Sequence, residues 1–170
     1  AWNPDRNEYL LAMRKVGYSD DGAEYYTTAV QRVAPDGSLL GPQTIVGATE
    51  RYEVFGRVSF NPATGGYYLC WRDSVYPFFR TEDFQVRARE LDSTGAPLGP
   101  IRQVAPGPED GRGEFTASVA CNTTSGEWLV VWWSYEGVEP YSSTIWGLFV
   151  APSASNDTAA PTVTISSPGE

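Results

Sequence analysis

Val58 to Trp71 reads VSFNPATGGYYLCW, and this stretch decides the fold because the chain repeats it. An earlier copy, AWNPDRNEYLLAM, runs from Ala1 to Met13, and a later one, VACNTTSGEWLVVW, from Val119 to Trp132. The copies lie about sixty residues apart, a period that belongs to repeat architectures. Each copy has the chemistry of a β-hairpin. Asn-Pro with a following Gly or Asn supplies the turn, since Pro fixes φ and Gly or Asn accepts positive φ, and the Tyr, Trp, Leu and Val positions after it suit a half-buried pleated surface.

A second pattern recurs further along each unit. APDGSLLGPQTIV (Ala34 to Val46) is matched by LDSTGAPLGPIRQV (Leu91 to Val104). Two hairpins therefore recur together, and the repeating unit is a set of four strands. In the first unit strands are expected at Glu8 to Lys15, Glu24 to Ala34 and Leu39 to Val46, with Gly47 to Glu53 as a linker. The second unit is complete, with Val54 to Phe60, Tyr67 to Asp73, Phe84 to Leu91 and Leu98 to Val104. The third has Phe115 to Cys121, Glu127 to Tyr135 and Ser143 to Ala151, and its fourth strand is not evident. The expected division is a repeat domain over 1–151, with units at about 1–50, 51–110 and 111–151, followed by a linker or tail over 152–170. That tail either leads onward or folds back as an extra strand.

The pattern N-P-x-x-x-x-(Y/W)-L-x-x-W followed by D-x-x-G-x-x-L-G resembles the repeats of bacterial secreted β-propeller proteins. The resemblance covers about residues 1 to 151 and implies an all-β fold of about three four-stranded antiparallel units arranged like propeller blades. Met13 stands where the other copies have Trp71 and Trp132, and Asn122-Thr123 replaces Asn-Pro in the third copy. Known propellers have about 4 to 8 blades, so three imply a partial propeller, self-association, or the remainder of a larger chain. The tail APTVTISSPGE resembles the entry to bacterial immunoglobulin-like domains.

Composition narrows the function. The formal net charge is −9, with acids well ahead of bases; nucleic-acid partners are met by clustered Lys and Arg, so none is expected. No apolar run approaches the ~20 residues of a membrane-spanning helix. There is no histidine, which removes the usual Ser-His-Asp and Cys-His nucleophiles and the commonest zinc ligand. Cys70 and Cys121 read either as a disulfide or as two small buried hydrophobes. The turns at Asp36 (Asp-Gly) and Asp92 (Asp-x-x-Gly) give at most a weak calcium signal, because they lack the ligand density of an oxygen cage; no catalytic or metal-binding residue and no cofactor is assigned.

In a propeller-like arrangement the loops between second and third strands share one end with the linkers between units. That end is rich in aromatics beside carboxylates and arginines, the combination that recognises carbohydrate or peptide. The candidate ligand residues are Arg72, Asp73, Tyr76, Trp133 and Tyr135. The competing reading is a solvated loop set, with Arg72 and Asp73 in an internal ion pair. The leading expectation is a non-catalytic extracellular or cell-surface module that binds carbohydrate or protein. The alternatives are a segment of a polysaccharide-degrading propeller enzyme, which needs two carboxylates at a defined separation, and a structural spacer or filament subunit.

Overall fold

The computed structural model describes residues 1–48, 51–75, 84–105, 112–136 and 142–152, and the tail beyond 152 and Tyr76 fall outside them. Eleven strands carry the described order, without a helix: β1 (Trp2–Asn3), β2 (Glu8–Tyr18), β3 (Glu24–Val33), β4 (Leu39–Ile45), β5 (Arg51–Phe60), β6 (Tyr67–Val75), β7 (Gln85–Leu91), β8 (Pro97–Gln103), β9 (Arg112–Cys121), β10 (Trp128–Glu136) and β11 (Ser142–Val150). They form three antiparallel meanders. The first is β1 to β4 and the second β5 to β8, joined into one eight-stranded sheet by a single parallel bridge between Tyr26 and Tyr52. The third, β9 to β11, is a separate three-stranded sheet, with no fourth strand among the described residues.

The sequence repeats correspond to repeated backbone chemistry. In the first meander Gly37 N–H donates to Ala34 O and Val46 N–H to Thr28 O; in the second, Gly95 donates to Asp92 O and Val104 to Val86 O. The β3/β4 ladder shifts register between Val30 and Arg32, and the β7/β8 ladder between Ala88 and Glu90. At each shift a glycine in the left-handed region, Gly41 (φ 72) or Gly99 (φ 71), turns its carbonyl to a side chain. Gln31 Nε2 donates to Gly41 O at 3.2 Å, and Arg89 Nε to Gly99 O at 3.0 Å. The first turns recur as well. Asn3, Asn61 and Asn122 each accept a backbone N–H two residues on through Oδ1, at 3.0, 2.9 and 3.0 Å, the Asx geometry that makes Asn a turn residue.

The meanders pack face to face. Strand β6 is central, because every residue from Tyr67 to Trp71 is buried. Its side chains alternate between faces, as the two-residue period of a strand requires. Tyr67, Leu69 and Trp71 join Leu10, Val30 and Val46 of the first meander. Tyr68 and Cys70 join Trp128, Val130, Trp132, Leu148 and Val150 of the third, and Tyr68 stacks on Trp128 with ring centroids 5.0 Å apart. Each large side chain removed from water in this way stabilises the fold by about 1.5–3 kcal/mol. Cys70 lies inside this second cluster as a free thiol whose pKa burial pushes up to about 12, and Cys121 is also free.

Polar ties cross the same interfaces. Asn61 Nδ2 donates to Gly126 O at 2.7 Å, joining the turns of the second and third meanders, and Arg89 Nη1 donates to Val46 O at 2.9 Å. The strongest tie is Glu53, which is 1 % exposed. Its Oε2 accepts the Thr28 N–H at 2.6 Å and its Oε1 the Ala48 N–H at 2.9 Å. Gly47 makes the approach feasible, since a Cβ there would stand 1.7 Å from Glu53 Oε2. Here the structure departs from the sequence expectation. Arg51 to Glu53, read as linker, begin β5, because the backbone donors of the first meander satisfy the one carboxyl that strand buries. Val16 to Tyr18, expected in a loop, likewise extend β2.

Glu53→Gln tests the tie. A carboxamide offers one oxygen and one NH₂, so either the Thr28 or the Ala48 N–H faces a donor, at a cost of about 1–3 kcal/mol. Burial raises the Glu53 pKa, with Asp73 adding in the same direction against the backbone hydrogen bonds. A carboxyl raised in the folded state contributes most while protonated in both states, and that contribution falls as pH climbs from the ordinary 4.5 through the raised value. In urea unfolding, the gap between wild type and variant is therefore expected to be widest at acid pH and to narrow as pH rises through that window.

Candidate functional site

The ends of β2 and β6 and the starts of β3, β5 and β7 come together at one end of the stack, as the pairs Tyr18 with Glu24, Arg51 with Val75 and Asp73 with Gln85 show; β10 starts beside the start of β6, with Trp128 on Tyr68, and so runs toward the same end. Two side-chain pairs recur there. Arg14 of β2 lies over the ring of Tyr26 at 4.3 Å, and Arg72 of β6 lies over the ring of Phe84 at 4.0 Å. The arginines hold equivalent places after Met13 and Trp71, and the aromatics equivalent places at the start of the third strand. The recurrence follows from strand geometry: Arg14 pairs with Thr28 and Arg72 with Val86, so each aromatic, two residues earlier on that neighbouring strand, lies on the diagonal within reach of a long side chain.

The two pairs differ in environment. Arg14 is exposed, whereas Phe84 is buried and Arg72 half-buried, and burial lowers the Arg72 pKa against the opposing effect of Tyr52. Tyr52 also meets Tyr26 edge-on at 4.8 Å, and the Tyr26 hydroxyl donates to Glu24. Arg14, Tyr26, Tyr52, Arg72 and Phe84 thus make a run of guanidinium and aromatic groups across the junction of the first two meanders. The third meander puts Trp133 at the place of Arg14 and Arg72, 37 % exposed.

Asp73 belongs to a different set. Consecutive residues of a strand point to opposite faces, so Asp73 lies on the side of β6 away from Arg72 and is 2 % exposed. Arg51 Nε stands 2.6 Å from its Oδ1 and Arg87 Nε 3.2 Å from its Oδ2. Burial nevertheless raises the Asp73 pKa, with the two arginines pulling it down. Asp73 and Glu53 are opposite one another in the β5/β6 register. One carboxyl is held by guanidinium groups and the other by backbone N–H groups, which leaves both engaged in internal bonds.

Of the sequence-derived candidates, Arg72 and Trp133 hold equivalent positions on adjacent meanders, and Asp73 is in an ion-pair triad whose cations come from β5 and β7 rather than from Arg72. Tyr135 is placed in β10 by its backbone pairing with Ser143 and Gly113. Tyr76 lies outside the described residues. Arg14, Tyr26 and Phe84 are absent from the sequence-derived set, because their pairing depends on cross-strand register. Carrying Arg72 and Phe84 back by one repeat would have found Arg14 and Tyr26.

The turns at Asp36, followed directly by Gly37, and at Asp92, of the form Asp-x-x-Gly, use their carboxylates locally. Asp36 Oδ1 accepts from Ser38 N–H at 2.9 Å, and Asp92 Oδ1 from Thr94 N–H at 2.7 Å and Ala96 N–H at 3.0 Å. No group of three or more His, Cys, Asp or Glu side chains that would hold a metal is found among the described residues, and no helix there is long and apolar enough to cross a membrane. The chain matches no protein-family model and no curated protein.

A double-mutant cycle on Arg72 and Phe84, using Arg72→Met and Phe84→Leu, is expected to give a coupling of about 0.5–2 kcal/mol in chemical unfolding. The Arg14/Tyr26 cycle should give less, because Arg14 is exposed. Vanishing couplings would mean that the ring contacts add nothing beyond packing, and equal ones that burial does not strengthen them.

Proposed function

We propose that this chain is a non-catalytic, extracellular binding module of propeller-like architecture, bacterial and secreted or displayed at the cell surface, whose strand-end rim recognises carbohydrate or protein. The observation that carries the reading is the recurrence of arginine-over-aromatic pairs at equivalent rim positions, continued by the exposed indole of Trp133. An aromatic face covers the apolar C–H surface of a sugar or side chain, and guanidinium and carboxylate groups beside it fix orientation. A row of similar positions set by a repeat suits a ligand that is itself extended. The reading requires no metal or cofactor.

An enzymatic role in polysaccharide cleavage finds less support. Glycoside hydrolysis needs two carboxyl groups open to the substrate on either side of one bond. The paired carboxyls Glu53 and Asp73 are almost sealed from water and already bonded.

Glycan-array binding and a screen for protein partners test the proposal. Trp133→Ala is expected to weaken a positive interaction about 2- to 10-fold, in keeping with ~0.5–1.5 kcal/mol for an aromatic contact. Trp133 is 37 % exposed and outside both apolar clusters, so a thermal midpoint recorded beside the binding assay separates a lost contact from a lost fold. Sugar release from polysaccharide, with no ligand retained, would overturn the reading in favour of an enzyme.

A further inference from the structure

The first meander exposes the face it turns away from the second. On β2, Leu10 and Ala12 enter the cluster shared with the second meander, so Tyr9, Leu11 and Met13 stand on the opposite side. These three hold the places of Tyr67, Leu69 and Trp71, which the second meander buries against the first. They also hold the places of Trp128, Val130 and Trp132, which the third buries against the second. The ring pair Trp2–Tyr9 (4.7 Å, 53°) repeats Phe60–Tyr67 (5.3 Å, 59°). Phe60–Tyr67 packs under the first meander, whereas Trp2 and Tyr9 are exposed and Leu11 is 45 % exposed.

The third meander shows the complementary half. Leu129, Val131 and Gly147 of its outward face hold the places of Tyr68, Cys70 and Ala88, which the second meander buries against the third. Ile145, opposite Trp133, and Phe149, opposite Leu129, are on the same outward face, and are 71 % and 54 % exposed. The two ends of the stack are thus the two sides of an interface that the molecule forms internally twice. Among the described residues the strand rows of these faces have no acid: Lys15 is the charged member of the β2 row, and the β10 and β11 rows have none from Leu129 to Trp133 or from Ile145 to Phe149. In a chain of net charge −9, this keeps like-charge repulsion away from a contact between copies.

We propose that a second copy of this chain covers both faces. The outward face of the first meander in one copy packs on the outward face of the third in the other, and the reciprocal contact closes a ring of six meanders, within the roughly 4 to 8 of known propellers. Each junction joins two different surfaces, so it is heterologous in character, and the second identical junction closes the assembly instead of extending it into a fibre. The inference extends the propeller-like reading, and its test leaves the rim untouched.

Sedimentation velocity and light scattering on wild type, Leu11→Lys and Phe149→Lys decide it. Both positions are exposed, Leu11 is on the face of β2 opposite Arg14, and Phe149 pairs with Leu129, four residues before Trp133 on β10, so a wild-type β-sheet spectrum and retained ligand binding are expected. Wild type is expected at twice the monomer mass, and each variant as a monomer. Mixing the two variants should restore a two-copy species, since one junction then has both faces intact. A monomeric wild type at its solubility limit, association that survives both substitutions, failure of the mixture to recover, or growth into longer polymers would each overturn the proposal. Loss of ligand binding in Arg14→Ala, a rim position on the face of β2 away from Leu11, with the two-copy species intact would concern the rim alone.

Discussion

Five consecutive residues of β6, Tyr67 to Trp71, have no exposed side. A strand of that kind needs an apolar layer on each face, and its own meander can supply neither. The first meander supplies one and the third the other. The rest of the architecture follows from this demand: meanders of similar strand order, bulged at the same places, lie one on the next so that their side chains interdigitate. Ring contacts between Tyr68 and Trp128 and between Phe60 and Tyr67 fill the two layers.

Apolar burial is non-directional, so it favours stacking without fixing how one sheet sits on another. Directional bonds do that. Glu53 reaches from β5 to two backbone N–H groups of the first meander, Asn61 reaches to the Gly126 carbonyl of the third, and Arg89 reaches back to Val46. These groups lie at opposite ends of the strands, the Asn-Pro turn at one and the start of β5 at the other. Both ends of the second meander are thereby located against a neighbour. A buried carboxyl is a costly means of doing so, and its raised pKa records the cost.

The same repetition that builds the core delivers the rim. Because the ends of β2, β6 and β10 are equivalent, whatever chemistry occupies that position is displayed at regular places along one end of the stack. Arginine over an aromatic ring fills it in the first two meanders and an indole in the third. The core positions just before them, Trp71 and Trp132, are large and buried. A fixed interior therefore carries a variable edge.

The sequence alone determined the strands and their grouping. Asn-Pro, Asp-x-x-Gly and Leu-Gly-Pro mark turns through local φ preference, and alternating apolar residues mark the strands between them, so the expected bounds agree with the observed ones to within about three residues, an ordinary margin for element ends. It left open which face of each strand meets which sheet, because alternation separates two faces without saying what covers them. It also misplaced Arg51 to Glu53, since a charged triplet reads as loop until the donors of Thr28 and Ala48, distant in sequence, are brought beside it. Asp73 with Arg51 and Arg87, and Arg14 with Tyr26, are likewise products of cross-strand register. Local preference acts over a few residues and is legible in order along the chain; pairing of charges, rings and faces depends on which distant strands become neighbours, and only the tertiary structure decides that.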